Sequence, residues 1–255
     1  MFCAIIADMM CFEGKSALVV GGSGGIGFAV AEILLKNGAD LTIHGRNVQK
    51  TMAAAEKLEE SFPDSKVKSL VFDFDSQNFG GLKGSELEKS AQNTDILCVC
   101  YGPFIQKPLE ETKIEDWQKT ALLDYALPGF LVSCALPAMK KNGFGRILLF
   151  GGTGTNFRSE FFTNAAYAGA KTGVGVLVQS VAAAFADSGI TCNAILPGFT
   201  ETEYLNEKSA GALKEKMPGK KLISLESVAD CAEFLLKHSD LNGVLLRADR
   251  GWCRK

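Results

Sequence analysis

Two histidines, His44 and His238, are all that the 255 residues contain. That scarcity argues against a histidine-based triad or a histidine metal cluster, and each is expected to be an ordinary residue at the end of a strand or helix. An excess of one charge is also lacking. Lys and Arg number 27 against 29 Asp and Glu, for a net charge of -2, and no basic cluster or stripe is present, so nucleic acid is not an expected partner. The eight cysteines are scattered at positions 3, 11, 98, 100, 134, 192, 231 and 253. Cys98 and Cys100 share one strand face but have no second cysteine or histidine pair at zinc spacing, so no metal site is expected. Thiols inside apolar runs predict buried cysteines in a reducing, cytoplasmic compartment.

Residues 1–11 are apolar, too short to span a bilayer, and lack the charged start and cleavage site of a signal peptide. They are expected to be an extra or disordered segment outside the fold, and no membrane is an expected partner. Met9 and Met10 are alternative starting points, which an intact mass retaining Met1 would exclude.

What the chain has is regular alternation. Hydrophobic residues make up 47% and charged residues 22%, an ordinary globular composition. Strands are predicted over 16–20, 41–44, 67–72, 95–100, 146–150, 191–196 and 243–247. Between them helices are predicted over 26–35, 47–61, 85–92, 114–141 with a break at Pro128, 164–187 and 227–237. Strands that are apolar throughout and alternate with helices imply a parallel sheet covered on both faces. The expected fold is therefore α/β, a doubly wound domain of about seven strands over residues 12–255. The polar stretch 200–221, within a segment taken as 199–222, is long for a connector and predicts a lid over a substrate site.

Three stretches carry chemistry. The first is the turn Gly21-Gly-Ser-Gly-Gly-Ile-Gly27, which follows a strand and opens a helix. Glycines there let the backbone approach a pyrophosphate, and the helix N-terminus offers free N–H groups and a positive dipole end. Gly21, Ser23, Gly25, Ile26 and Gly27 are the candidate phosphate-holding residues, in either of two registers: Gly22, Gly24, Gly27 or Gly21, Gly25, Gly27. The second is the end of the second strand, His44-Gly45-Arg46. A carboxylate there would favour NAD(H), whereas Arg46 suits a 2′-phosphate, so NADP(H) is the expected cofactor, with a solvent-facing Arg46 as the plain alternative. The third is Tyr167-Ala-Gly-Ala-Lys171. On a helix, the phenol and the ammonium fall on one face. A phenol titrates at about pH 10, and a neighbouring cation is expected to bring that down.

With these motifs in place, the chain resembles the short-chain dehydrogenases/reductases from about residue 15 to 252. The resemblance implies a Rossmann fold and places Gly21, Gly25 and Gly27 in the family's glycine motif and Asp73 toward the adenine ring. It places Tyr167 and Lys171 in the catalytic pair, with Lys171 also holding the nicotinamide ribose. Asn193, Pro197, Gly198 and Thr202 match the segment beside the nicotinamide, and Asp249 and Gly251 a C-terminal signature interrupted by Arg250. It also implies a homodimer or homotetramer packed through the long helix after Tyr167.

The departures are as informative. After the fourth strand the family's N-N-A-G is here Val99-Cys-Tyr-Gly102, so only Gly102 remains as a cofactor contact. The usual relay asparagine is Asp124, and the usual catalytic serine is Gly152. Thr153 is the preferred substitute hydroxyl, with Thr155 the other candidate. Asp124 either holds a water as asparagine would, and as a carboxylate near the Tyr167–Lys171 pair would also bind Lys171 or raise the phenol's pKa, or merely breaks the helix before Pro128. The loop 156–162 offers three phenylalanines to an apolar substrate or to another subunit, and Arg158 to an anionic group. The expected activity is hydride transfer between NADP(H) and a carbonyl or alcohol, with Tyr167 as general acid/base. The alternative is a dinucleotide-binding protein of little activity, acting as a redox sensor or interaction partner.

Overall fold

The computed structural model describes residues 11–74 and 79–252. The expected N-terminal segment therefore lies outside the described residues except for Cys11, whose thiol donates to Asn37 Oδ1 at 3.3 Å. Phe12 is already buried in the core.

Seven parallel strands form one sheet in the order β3-β2-β1-β4-β5-β6-β7: β1 Ser16–Val20, β2 Asp40–Gly45, β3 Val67–Val71, β4 Ile96–Val99, β5 Gly145–Phe150, β6 Ile190–Pro197 and β7 Leu245–Ala248. Side chains alternate across a strand, and both faces are apolar. Ala17, Val19, Ile96, Cys98, Leu148 and Phe150 point into one core layer. Leu18, Val20, Leu97, Val99, Ile147 and Leu149 point into the other. Helices α1 Gly25–Lys36, α2 Val48–Ser61 and α8 Leu225–Lys237 cover the first layer. Helices α3 Glu86–Gln92, α5 Leu127–Asn142 and α6 Ala165–Ala184 cover the second. Strand order reverses between β1 and β4, so a crevice opens past Val20 and Val99, the place where such sheets bind ligands.

The predicted break at Pro128 is not there. Helix α4 Ile114–Thr120 runs into a π turn, Ala121–Ala126, and then into α5. The wide turn lets Leu127 N–H reach back to the Leu122 carbonyl, and Pro128 falls in the first turn of α5. A proline cannot donate to the preceding turn and its ring crowds the carbonyl four residues back, and the wider π turn absorbs both without ending the helix. The run Ile114–Asn142 is long and apolar enough to cross a membrane by length and composition. Here Leu123, Leu127, Leu131, Val132, Ala135 and Met139 are spent on the core.

The stretch 200–221 is not continuous loop. It contains α7 Glu207–Lys214, capped by Asn206 accepting from Ser209 N–H, and no residue of that helix is buried. Only Ala210 and Leu213 of it pack against the core, both half-buried, too few apolar positions for a clear helical pattern. The ends of the stretch are pinned together: Glu201 N–H donates to the Ile223 carbonyl at 2.8 Å and Ile223 N–H to that of Phe199 at 2.9 Å.

His44, expected to be an ordinary strand-end residue, is fully buried. Its Nδ1 faces Gly21 N–H at 3.4 Å and its Nε2 lies 2.9 Å from the Phe72 carbonyl. Burial lowers its pKa to about 4. Cys98 and Cys192 are buried thiols, whereas Cys11 is exposed.

Candidate active site

The glycine turn joins β1 to α1. Gly21 and Gly25 have φ of 83° and 52°, which favours glycine. A Cβ on Gly27 would run into the Gly21 carbonyl, so Gly27 lets α1 seat on the turn. The conformational demands thus fall on Gly21, Gly25 and Gly27, the second of the two registers. Gly25 N–H donates to the Glu203 carboxylate, Oε1, at 2.9 Å, so the helix start holds an anion from its own chain. That donor set suits a phosphate, and the residues present fit a dinucleotide.

Arg46 emerges at the end of β2. It acts on the Tyr101 hydroxyl, lowering a pKa that burial pushes up, and Asp73 acts on the same hydroxyl in the opposite sense. Tyr101 also packs on Phe74 with centroids 5.1 Å apart, and Phe74 on His44 at 4.9 Å. Its backbone closes against Gly21, where a Cβ would meet Tyr101 N at 3.0 Å. Arg46, Asp73 and Tyr101 therefore come together at the β2–β3–β4 end of the crevice. In the sequence Tyr101 stood out only as a departure from N-N-A-G.

Tyr167 and Lys171 lie on the first turns of α6, Lys171 Nζ 5.8 Å from the Tyr167 ring centroid. Lys171 donates to the Phe150 carbonyl at 2.9 Å and sits 3.2 Å from Asp124 Oδ1. Asp124 is fully buried, and neither carboxylate oxygen receives a well-angled hydrogen bond. A Cβ on Gly102 would overlap Asp124 Oδ1 and come 3.1 Å from Lys171 Nζ. Gly102 is thus the gap in which this pair meets. Asp124 interrupts no helix; the π turn aims it at the lysine.

The electrostatics reverse the expected tuning of the phenol. Burial raises the Tyr167 pKa, and the Asp124 charge raises it further. Burial likewise pushes the Asp124 carboxyl up to about 6, against the pull of Lys171. An acid whose folded pKa is raised binds more protons folded than unfolded. Its contribution therefore favours folding below the ordinary carboxylate range, and that advantage is lost as pH rises toward about 6. In Asp124→Asn this slope should disappear: between pH 4.5 and 7 the urea midpoint of the wild type should fall relative to that of the variant. Parallel midpoints would show that Asp124 is not titrating in that window.

Gly152 faces the phenol. A Cβ built on it lies 3.5 Å from Tyr167 Oη and 3.1 Å from Cε1. The two candidate substitute hydroxyls are engaged elsewhere. Thr153 Oγ1 donates to Asp249 Oδ2 at 2.7 Å, an oxygen also held by Arg247 Nε at 3.0 Å and Nη2 at 2.8 Å. Thr155 Oγ1 donates to the Gly152 carbonyl at 2.7 Å. Asn193 donates to the Leu241 carbonyl at 2.7 Å and accepts from Val244 N–H at 2.9 Å, tying β6 to the approach of β7.

Beyond Tyr167 opens a cleft of about 680 Å³, whose lining includes Phe104, Arg158, Phe161, Phe162, Pro197 and Trp252. Thr153, Gly198 and Thr202 also line it. Phe104 meets the Tyr167 ring edge to face, centroids 4.9 Å apart. The sequence reading missed Glu203, Tyr101 and the Thr153–Asp249–Arg247 contact. Only the nearness of Glu203 to Thr202 and of Arg247 to Asp249 could have hinted at them.

Comparison with known proteins agrees with this geometry. Residues 15–212 match the model of the short chain dehydrogenase family, and the chain belongs to that family. The D-beta-hydroxybutyrate dehydrogenase of Rhizobium meliloti is 26% identical, across 93% of this chain and 98% of that protein. The 3-oxoacyl-(acyl-carrier-protein) reductase FabG of Rickettsia felis is 30% identical, across 89% and 91%. Among solved structures, a short chain dehydrogenase/reductase family protein superposes with a TM-score of 0.80 at 25% identity, covering 95% of this chain and 98% of that one.

Proposed function

We propose that this protein is an NADP(H)-dependent oxidoreductase that interconverts a carbonyl and an alcohol, with Tyr167 exchanging the proton at the substrate oxygen. The observation that carries the reading is Tyr167 at the mouth of the cleft, with Lys171 one turn on and an anion-gripping glycine turn at the same end of the sheet. The two named relatives are both oxidoreductases, which favours an enzyme over a binding protein of little activity.

The turn residues Gly21, Ser23, Gly25, Ile26 and Gly27 would hold the pyrophosphate. Arg46 would hold the 2′-phosphate, with Asp73 toward the adenine, and Gly102, Pro197, Gly198, Thr202 and Lys171 would hold the nicotinamide end. The nicotinamide supplies or accepts the hydride. Tyr167 supplies the proton, and a phenol with a raised pKa is protonated at neutral pH, the form that reduction requires. Phe104, Phe161, Phe162 and Trp252 form an apolar wall for the substrate body, and residues 199–222 serve as its lid. Thr153 can support the substrate oxygen only by giving up Asp249. The exposed residues Ile114, Trp117, Tyr125 and Val176 support a homo-oligomer.

Cofactor choice is tested at Arg46. A forked guanidinium on a phosphate is a charge-assisted contact of about 1.5–3 kcal/mol. Arg46→Ala should therefore weaken NADPH about 10- to 100-fold in a fluorescence titration and leave NADH nearly unchanged. Equal losses for both cofactors would remove the 2′-phosphate assignment.

A further inference from the structure

The segment that follows Thr202 does not simply roof the cleft. Gly25 N–H, at the start of α1, donates to Glu203 Oε1 at 2.9 Å across 178 residues of sequence. The volume that a Cβ on Gly24 would need is filled by the same Oε1 and by the Tyr204 hydroxyl. Glu203 hydrogen-bonds the Tyr204 hydroxyl, and Arg46 acts on that hydroxyl as well. Lys50, from α2, lies 5.6 Å from the Tyr204 ring centroid. On the other side, Thr202 and Leu205 line the substrate cleft, and a Cβ on Gly25 would touch Thr202 Cγ2 at 3.5 Å. One short stretch of chain therefore spans both halves of the site.

We propose that Glu203 is a built-in occupant of the phosphate cradle, its carboxylate standing where a dinucleotide phosphate would take the same N–H donor. Cofactor entry must then expel Glu203 and Tyr204 from the turn. Because the segment is anchored at Thr200 and Ile223, its displacement is passed to Thr202, Leu205 and α7, which rearranges the cleft. This rests on the reading of the turn as a dinucleotide site.

The test compares wild type, Glu203→Gln and Glu203→Ala by NADPH fluorescence titration, with backbone hydrogen exchange over residues 202–214 read with and without NADPH. A carboxylate on a helix N-terminus is a modest competitor, so Glu203→Ala should bind NADPH about tenfold more tightly than wild type, and Glu203→Gln, whose amide oxygen still accepts from Gly25 N–H, should fall between the two. In the wild type NADPH should speed exchange at the segment, whereas in Glu203→Ala exchange should already be fast before NADPH is added. Equal or weaker binding by Glu203→Ala overturns the proposal. Tighter binding by Glu203→Ala with unaltered exchange also overturns it, because that is plain charge repulsion without occupancy. If none of the three proteins binds NADPH or NADH, the dinucleotide reading fails first and the competition fails with it.

Discussion

Tyr167→Phe should lower kcat/KM for carbonyl reduction by about 10²- to 10⁴-fold, the range that a positioned general acid supplies, while the NADPH dissociation constant stays where it was. The substitution removes one oxygen and keeps the ring. The edge-to-face contact with Phe104 at 4.9 Å and the packing around a half-buried ring survive, so the fold has little reason to respond. The phenol lines the cleft and faces Gly152, and with a raised pKa it carries its proton at neutral pH. The same electrostatics set a direction for the reverse reaction. Alcohol oxidation needs the phenolate, so its rate should climb with pH well past neutrality. Measuring kcat/KM and NADPH binding separately on one preparation decides the matter, since retained turnover in the Phe variant would remove Tyr167 from the mechanism.

The strands were legible in the sequence because β1, β4, β5 and β6 are buried on both faces, and an unbroken apolar run admits few other fates in an alternating chain. The glycine turn and the Tyr167–Lys171 spacing were legible for a related reason: each is a local motif whose geometry follows from consecutive residues. Failures came where distant parts of the chain decide the outcome. Pro128 reads as a break, because nothing local announces that a π turn will absorb it and let the helix continue. Asp124 reads as a relay that would also bind Lys171 or raise the phenol's pKa, or as a breaker, and the choice stays open because the gap at Gly102 in which the pair meets leaves no trace in spacing. The net tuning of the phenol was hidden for a similar reason. Spacing identifies the cation beside the tyrosine and the Asp124 carboxylate that opposes it, but only the fold adds the burial that is the larger cause of the raised pKa. Helix α7 escaped notice because only Ala210 and Leu213 of it reach the core, both half-buried, and Glu203 because a contact across 178 residues leaves no trace in spacing.

Gly152→Ser should raise kcat by about 10²-fold, because a single hydrogen-bond donor aimed at a developing oxyanion is worth about 10²–10³ in rate, and the two candidate hydroxyls, Thr153 and Thr155, donate elsewhere. A Cβ at residue 152 would stand 3.5 Å from Tyr167 Oη, so a serine Oγ one bond further out can reach the oxygen that the phenol also serves. The fit is tight. The same Cβ meets Tyr167 Cε1 at 3.1 Å and Thr155 Cγ2 at 3.3 Å, and each neighbour must yield by a few tenths of an ångström. Thr155 is held by its bond to the Gly152 carbonyl, so the shift would fall on the ring of Tyr167, at the edge of the open cleft. Gly152→Ala separates the two effects: it imposes the same crowding without the hydroxyl and should be neutral or slower. A serine variant faster than wild type beside an alanine variant that is not would identify the missing donor as what limits the wild-type rate. If serine and alanine behave alike, the substrate oxygen is supported from elsewhere, and the Thr153 hydroxyl, once released from Asp249, becomes the group to remove next.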